Sequence, residues 1–140
     1  MTLQKVRGTR DFYPEDKRVQ NYIFRIWREI ANKYGFEEVD SPIIEPIEIY
    51  SKSGEEIPDQ IYELIDKSGR KLALRPETTP SIARMIEAKK DIKLPIKWFS
   101  ISRCLRYESP QLGRQREFFQ LNLDILGNKN MQSDAEIIST

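Results

Sequence analysis

The chain has 140 residues, and 23 lysines and arginines against 22 aspartates and glutamates leave a formal charge of +1, so any basic patch that attracts an anion has to be local. A single cysteine, Cys104, excludes an internal disulfide and a cysteine-built metal site, and fits a reducing compartment. The absence of histidine removes Ser-His and Cys-His nucleophile pairs and the commonest metal ligand, which leaves carboxylates, arginines and lysines to carry any chemistry.

With 39% hydrophobic and 32% charged residues the composition is that of one globular domain. No stretch has the length of a transmembrane helix and the start lacks a signal-peptide apolar region, so a cytoplasmic protein with no membrane contact is expected.

Lys5-Val6-Arg7-Gly8-Thr9-Arg10-Asp11-Phe12 is basic and punctuated by glycine. Pro14 followed by Glu15 and Asp16 is a helix start, and Val19, Ile23, Ile26, Trp27, Ile30 and Tyr34 recur at helical spacing as far as Gly35. The pattern predicts one amphipathic helix from about Pro14 to Tyr34, with Trp27 and Tyr34 packing into the core. Phe36-Glu37-Glu38-Val39 reads as a strand entering Ser41-Pro42. Ile43, Ile44, Ile47 and Ile49 then continue an extended apolar segment broken by Pro46.

Residues 51–59, with Gly54 and Pro58, read as a loop. Ile61-Tyr62-Glu63-Leu64-Ile65 and Lys71-Leu72-Ala73-Leu74, around Asp66-Lys67-Ser68-Gly69, predict a β-hairpin. The hairpin delivers Arg75-Pro76-Glu77-Thr78-Thr79-Pro80 to a helix starting near Pro80, with Thr79 as its N-cap. By residue type alone, Glu77 is as readily an exposed loop carboxylate as a functional one.

From Trp98 to Gly127 two alternating strands flank a basic loop. Phe99, Ile101, Leu105 and Tyr107 alternate with Ser100, Ser102, Cys104, Arg106 and Glu108. After Ser109-Pro110-Gln111-Leu112-Gly113, the odd positions hold Phe119, Leu121, Leu123 and Ile125, and the even ones Arg114, Arg116, Phe118, Gln120, Asn122 and Asp124. An antiparallel hairpin with one apolar face is the economical structure, and a polar second face can mean simply a wet one. Phe118 gains nothing on a wet face, however, and arginines grouped around a tight loop suit phosphate oxygens, which guanidinium binds in a planar, bidentate way. Residues 128–132 read as a loop and Ser133-Asp134-Ala135-Glu136-Ile137-Ile138 as the start of a last helix, within which the chain ends.

Arg106-Tyr107-Glu108, the loop through Gly113-Arg114-Gln115-Arg116, then Glu117-Phe118-Phe119-Gln120 and Asp124 resemble motif 2 of class II aminoacyl-tRNA synthetases, and more narrowly the histidyl-tRNA synthetases. The helix, strand and Pro42 before them resemble motif 1, which in that family builds the homodimer interface, here about residues 36–50. The resemblance spans residues 1–140 but only the N-terminal portion of the family's catalytic domain. Motif 3, the Arg-Gly-x-Asp-Tyr-Tyr segment and the anticodon-binding domain are not in it. Phe119 stands where bacterial members have histidine.

The resemblance implies an α+β fold, an antiparallel sheet flanked by helices. By the same resemblance, Arg106 is the catalytic residue and binds the ATP α-phosphate, Glu108 accepts from the adenine amino group, and Phe118 stacks on the base. Arg114 and Arg116 would contact the outer phosphates or the tRNA acceptor end, in an order left open. Glu77, Thr79 and Gln120 would hold the substrate ammonium group and Asp124 would face the imidazole, with no metal held by protein ligands alone. The reaction implied is ATP- and Mg²⁺-dependent activation of histidine, then transfer to tRNA(His). A second possibility is a non-catalytic relative resembling the histidine-sensing regulatory subunit of ATP phosphoribosyltransferase. That paralogue is expected to lose the ATP-contacting set, whereas Arg106, Glu108 and Phe118 are all present. A third is a free-standing dimerisation or tRNA-binding module.

Overall fold

The computed structural model describes residues 3–51 and 58–140; most of the loop expected over 51–59, Gly54 included, lies outside the described residues. In chain order the elements are helix α1 (Pro14–Lys33), strands β1 (Glu37–Glu38), β2 (Ile44–Pro46), β3 (Tyr62–Ile65) and β4 (Lys71–Leu74), helix α2 (Thr79–Ala88), strands β5 (Ile96–Leu105) and β6 (Glu117–Leu126), and helix α3 (Met131–Ser139). The class is α+β, as the resemblance implies. The strands form two three-stranded sheets, ordered β1-β5-β6 and β2-β4-β3. β1 pairs with β5 in parallel, while β2 and β3 both pair antiparallel with β4.

The chain divides into two compact units: Met1–Asp11, Ser41–Ala88 and Arg103–Gln120 in one, Phe12–Asp40, Lys89–Ser102 and Leu121–Thr140 in the other. In the second unit α1 begins on Pro14 with Glu15 and Asp16 in its first turn, where acidic groups meet the positive end of the helix dipole. It stops at Gly35, whose φ of 77° lets the chain leave the helix in the left-handed region. Ala31, Phe36 and Phe99 make the core of this unit, packed by Ile101, Leu121, Leu123, Ile125 and Ile137. On both long strands these are the odd positions, the side that the two-residue period marks as apolar. Trp27 is half-buried, but Tyr34 stays on the surface, where its hydroxyl donates to Ser139 O at 3.0 Å, so its expected place in the core is not taken. α3 begins at Met131 rather than at Ser133, because the Asn130 side chain accepts from Gln132 N at 3.0 Å and caps it.

In the first unit the hairpin β3–β4 turns where the sequence predicts. Asp66 Oδ1 accepts from Ser68 N and Arg70 N at 2.8 and 2.9 Å, and Gly69 takes φ 79°. Residues 47–50 are not extended: Ile47–Tyr50 is a 3-10 turn that buries Tyr50 completely. Helix α2 starts one residue before the expected position, so its flanking residue is Thr78, whose carbonyl accepts from Ile82 N at 3.1 Å, and Thr79 is the first helical residue. Glu45 is 3% exposed and is neutralised by Arg84 at 2.6 Å, the paired condition a buried carboxylate requires.

Candidate functional site

β5 ends at Leu105, so Arg106, Tyr107 and Glu108 lie past the strand, in the connection to β6. Backbone bonds fix that connection: Leu105 N donates to Arg75 O at 2.9 Å, Arg106 N to Arg116 O at 2.8 Å and Tyr107 N to Gln60 O at 2.7 Å. At its tip Gln111 and Arg114 exchange two bonds of 3.0 Å across Leu112-Gly113, and Gly113 adopts φ 80°. This two-residue turn needs a positive φ at its second position, which glycine supplies at little cost.

Four of the predicted residues, Arg106, Glu108, Arg114 and Phe118, line one cleft of about 230 Å³ together with Gly113 and Gln115. Arg106 Nε donates to Pro76 O at 3.0 Å and its guanidinium lies 5.3 Å from the Phe118 ring centroid. One edge of the guanidinium is therefore tied to backbone; its two Nη groups have no acceptor among the described residues. The Glu108 side chain is 15% exposed and faces Arg114 Nη1 at 3.7 Å, too long for a hydrogen bond. The cleft thus offers an aromatic face, a cation with free donors and a loosely paired carboxylate. Its volume is below the roughly 300–1,000 Å³ usual for a whole drug-sized ligand.

Arg116 does not line that cleft. Its Nε donates to Glu108 O at 2.8 Å and its guanidinium stacks 4.4 Å from the Tyr107 ring centroid. Glu77 and Thr79 open onto a separate cleft of about 610 Å³ with Glu48, Arg84 and Glu87. Gln120 is half-buried beside Cys104, with Oε1 3.8 Å from the thiol, and burial pushes that thiol's pKa up, so it stays protonated. Asp124 belongs to the second unit, where burial raises its carboxyl above the ordinary aspartate value. Ser100, Ser102 and Cys104, on the polar side of β5, are fully buried rather than wet, and the two serine hydroxyls have no hydrogen-bond partner among the described residues.

Two residues of the first unit have no role assigned from sequence. Arg75, 3% exposed, donates from Nη1 to Ser41 O at 2.6 Å and Ser41 Oγ at 2.9 Å, and from Nε and Nη2 to Arg103 O, both at 3.2 Å. It ties the backbone at Ser41 and Arg103 to the residue that leads into the Pro76–Thr79 loop. An arginine between a strand and a proline was the available signal. Gly8 is the other: its carbonyl accepts from Arg116 N at 2.8 Å and Glu117 N at 3.3 Å.

A family model described as histidyl-tRNA synthetase matches residues 8–140. The chain belongs to the histidyl-tRNA synthetase family. Curated relatives of this family include histidine–tRNA ligases from Thermoplasma volcanium, 46% identical over 140 residues, and from Opitutus terrae, 47% identical over 140 residues, each covering 99% of this chain. The chloroplastic/mitochondrial histidine–tRNA ligase of Arabidopsis thaliana is 48% identical over 136 residues, 96% of this chain. The chain spans about a third of the length of these relatives, 33%, 32% and 28% respectively.

Among solved structures, apo histidyl-tRNA synthetase of S. aureus superposes with a TM-score of 0.81 at 27% identity, covering 99% of this chain and 33% of that one. A Bacillus halodurans protein described as ATP phosphoribosyltransferase regulatory subunit/histidyl-tRNA synthetase gives 0.87 at 28% identity, covering 97% and 35%.

Proposed function

We propose that this chain is the nucleotide-binding part of a histidine–tRNA ligase, which activates histidine with ATP and passes it to tRNA(His). The observation that carries this is the convergence of Arg106, Glu108, Arg114 and Phe118 on one cleft. Adenine stacks on Phe118 and its amino group donates to Glu108. The free Nη donors of Arg106 meet the α-phosphate, where charge develops as the histidine carboxylate attacks; oriented cations stabilise most where charge grows. Arg114, 70% exposed at the rim, meets the outer phosphates. Mg²⁺ bound to those phosphates supplies further neutralisation, the usual way this ion enters phosphoryl sites. Glu77, Thr79 and Gln120 take the substrate ammonium, whose three donors need acceptors, and Asp124 takes the imidazole. Catalysis then rests on positioning and electrostatics, without a protein nucleophile.

The same proposal includes a homodimer through residues 36–50, supported by Ile43 and Ile44, 41% and 44% exposed on and beside β2. It also places the protein in the cytoplasm, supported by a lone free thiol. No described helix is long and apolar enough to cross a membrane.

Histidine-dependent ATP–pyrophosphate exchange tests the assignment, with Arg106→Ala and the other amino acids as controls. Exchange with histidine alone, reduced about 100-fold or more in Arg106→Ala, is expected, since a transition-state donor is worth roughly 10²–10³ in rate. Exchange no higher than in the variant would mean either that activation needs parts of the family's catalytic domain outside these 140 residues, or that the chain is a histidine-sensing regulatory relative, a description the Bacillus halodurans structure also carries.

A further inference from the structure

We propose that Gly8 is a positioning residue for the nucleotide cleft, acting through Arg116, so that the N-terminal turn sets how Glu108 is presented. This rests on the nucleotide assignment above and adds a part of the chain that contributes no side chain to the cleft. Thr9 N and Thr9 Oγ1 both donate to Val6 O, at 3.1 and 2.8 Å, closing a turn over residues 6–9. Gly8, at φ 87°, points its carbonyl at the amides of Arg116 and Glu117, where β6 begins. A Cβ at Gly8 would come 2.8 Å from Arg116 Cγ and 2.9 Å from Pro110 Cγ. Only a residue without a side chain lets the Arg116 stem lie flat against this turn.

The far end of that stem matters for the cleft. Arg116 Nε holds the Glu108 carbonyl at 2.8 Å, its guanidinium covers Tyr107, and Arg116 O accepts from Arg106 N at 2.8 Å. Arg116 therefore bonds to both ends of the Arg106-Tyr107-Glu108 segment, whose middle is held by Tyr107 N donating to Gln60 O at 2.7 Å. Among the described residues nothing else holds the Glu108 carbonyl, so its carboxylate is aimed by Arg116 and Arg116 by Gly8.

A Glu108 that has lost its aim costs the purine amino contact and leaves phosphate binding in place. Nucleotide selectivity is therefore the readout that a general loss of stability would not move. Dissociation constants for ATP and GTP are measured by titration calorimetry on the chain, its Gly8→Ala and Arg116→Met variants, and Gly69→Ala. The last adds a Cβ at a similarly positive φ of 79° in open space and controls for backbone strain alone.

The preference for ATP should fall about tenfold or more in Gly8→Ala and Arg116→Met, the worth of one hydrogen bond to a charged group, and stay unchanged in Gly69→Ala. Equal loss of ATP and GTP affinity in Arg116→Met would mean that Arg116 contacts phosphate directly, and would overturn the proposal. So would an unchanged preference in Gly8→Ala.

Amide hydrogen exchange separates the proposal from the assignment it rests on. Faster exchange at Arg106, Tyr107 and Arg116 in Gly8→Ala, with α2 still protected, is expected even if the unmodified chain shows no preference for ATP. That combination would remove the nucleotide assignment and keep the clamp. Unchanged exchange at those amides would remove the clamp.

Discussion

Three arginines in and beside one loop look alike in sequence and do different things in the fold. Arg106 gives one edge to Pro76 O and keeps its Nη groups free, Arg114 sits at the cleft rim, and Arg116 is consumed in holding backbone. Spacing within the loop does not separate them, because the fate of Arg116 is decided by Gly8, far away in sequence. Cys104 could have passed for a reactive thiol but is buried and protonated. Burial raises the folded pKa of Asp124 above the ordinary 3.8, so its contribution to stability is full below the unfolded value and is lost as pH rises through the folded one. Asp124→Asn, uncharged throughout, should therefore melt higher than the unmodified chain at pH 7. The gap should shrink towards zero as pH approaches about 3, where the aspartate is also neutral. A gap independent of pH would show that desolvation of the carboxylate is not its cause.

Elements are legible where a period is long and clean. The 3.6-residue pattern locates α1 and the two-residue pattern locates the core side of β5 and β6, because a strong amphipathic repeat outweighs local propensity. The second face of β5 departs from its pattern for a physical reason. Serine counts as polar in a pattern yet is small enough to bury, and Ser100 and Ser102 are buried without partners among the described residues. Isoleucine favours strands, which argues for extended backbone over residues 47–50, but the chain turns after Pro46 to seat Tyr50. Among the described residues strand β2 is an edge strand paired with β4 alone, and its Ile44 is 44% exposed, the kind of edge that invites a partner. If β2 lies in a homodimer interface, Ile44→Glu should raise the dimer dissociation constant about tenfold or more in sedimentation velocity, since symmetry puts two carboxylates at the contact. A monomeric unmodified chain, or a variant with the same constant, would place the interface elsewhere.

At the scale of the whole molecule, family and fold class are legible together, since Arg106, Glu108, the arginine loop and Phe118 stand in a fixed order along the hairpin. What the order does not show is that these residues divide between two clefts, with Glu77 and Thr79 lining one and the Arg106 group the other. Among the described residues, Arg106 Nε donates to Pro76 O, immediately before Glu77, and Leu105 N donates to Arg75 O, so the two clefts share this stretch of backbone. If a nucleotide draws Arg106 towards its phosphate as proposed, it also draws on the peptide that leads into Glu77, and filling one cleft would then alter the free energy of filling the other. Thermodynamic linkage makes the exchange symmetric: whatever factor histidine imposes on ATP binding, ATP imposes on histidine. That factor should differ from one in the unmodified chain, with coupling of typically about 1–3 kcal/mol. It should return to one in Arg106→Lys, which keeps the charge and gives up the planar fork that serves both clefts at once.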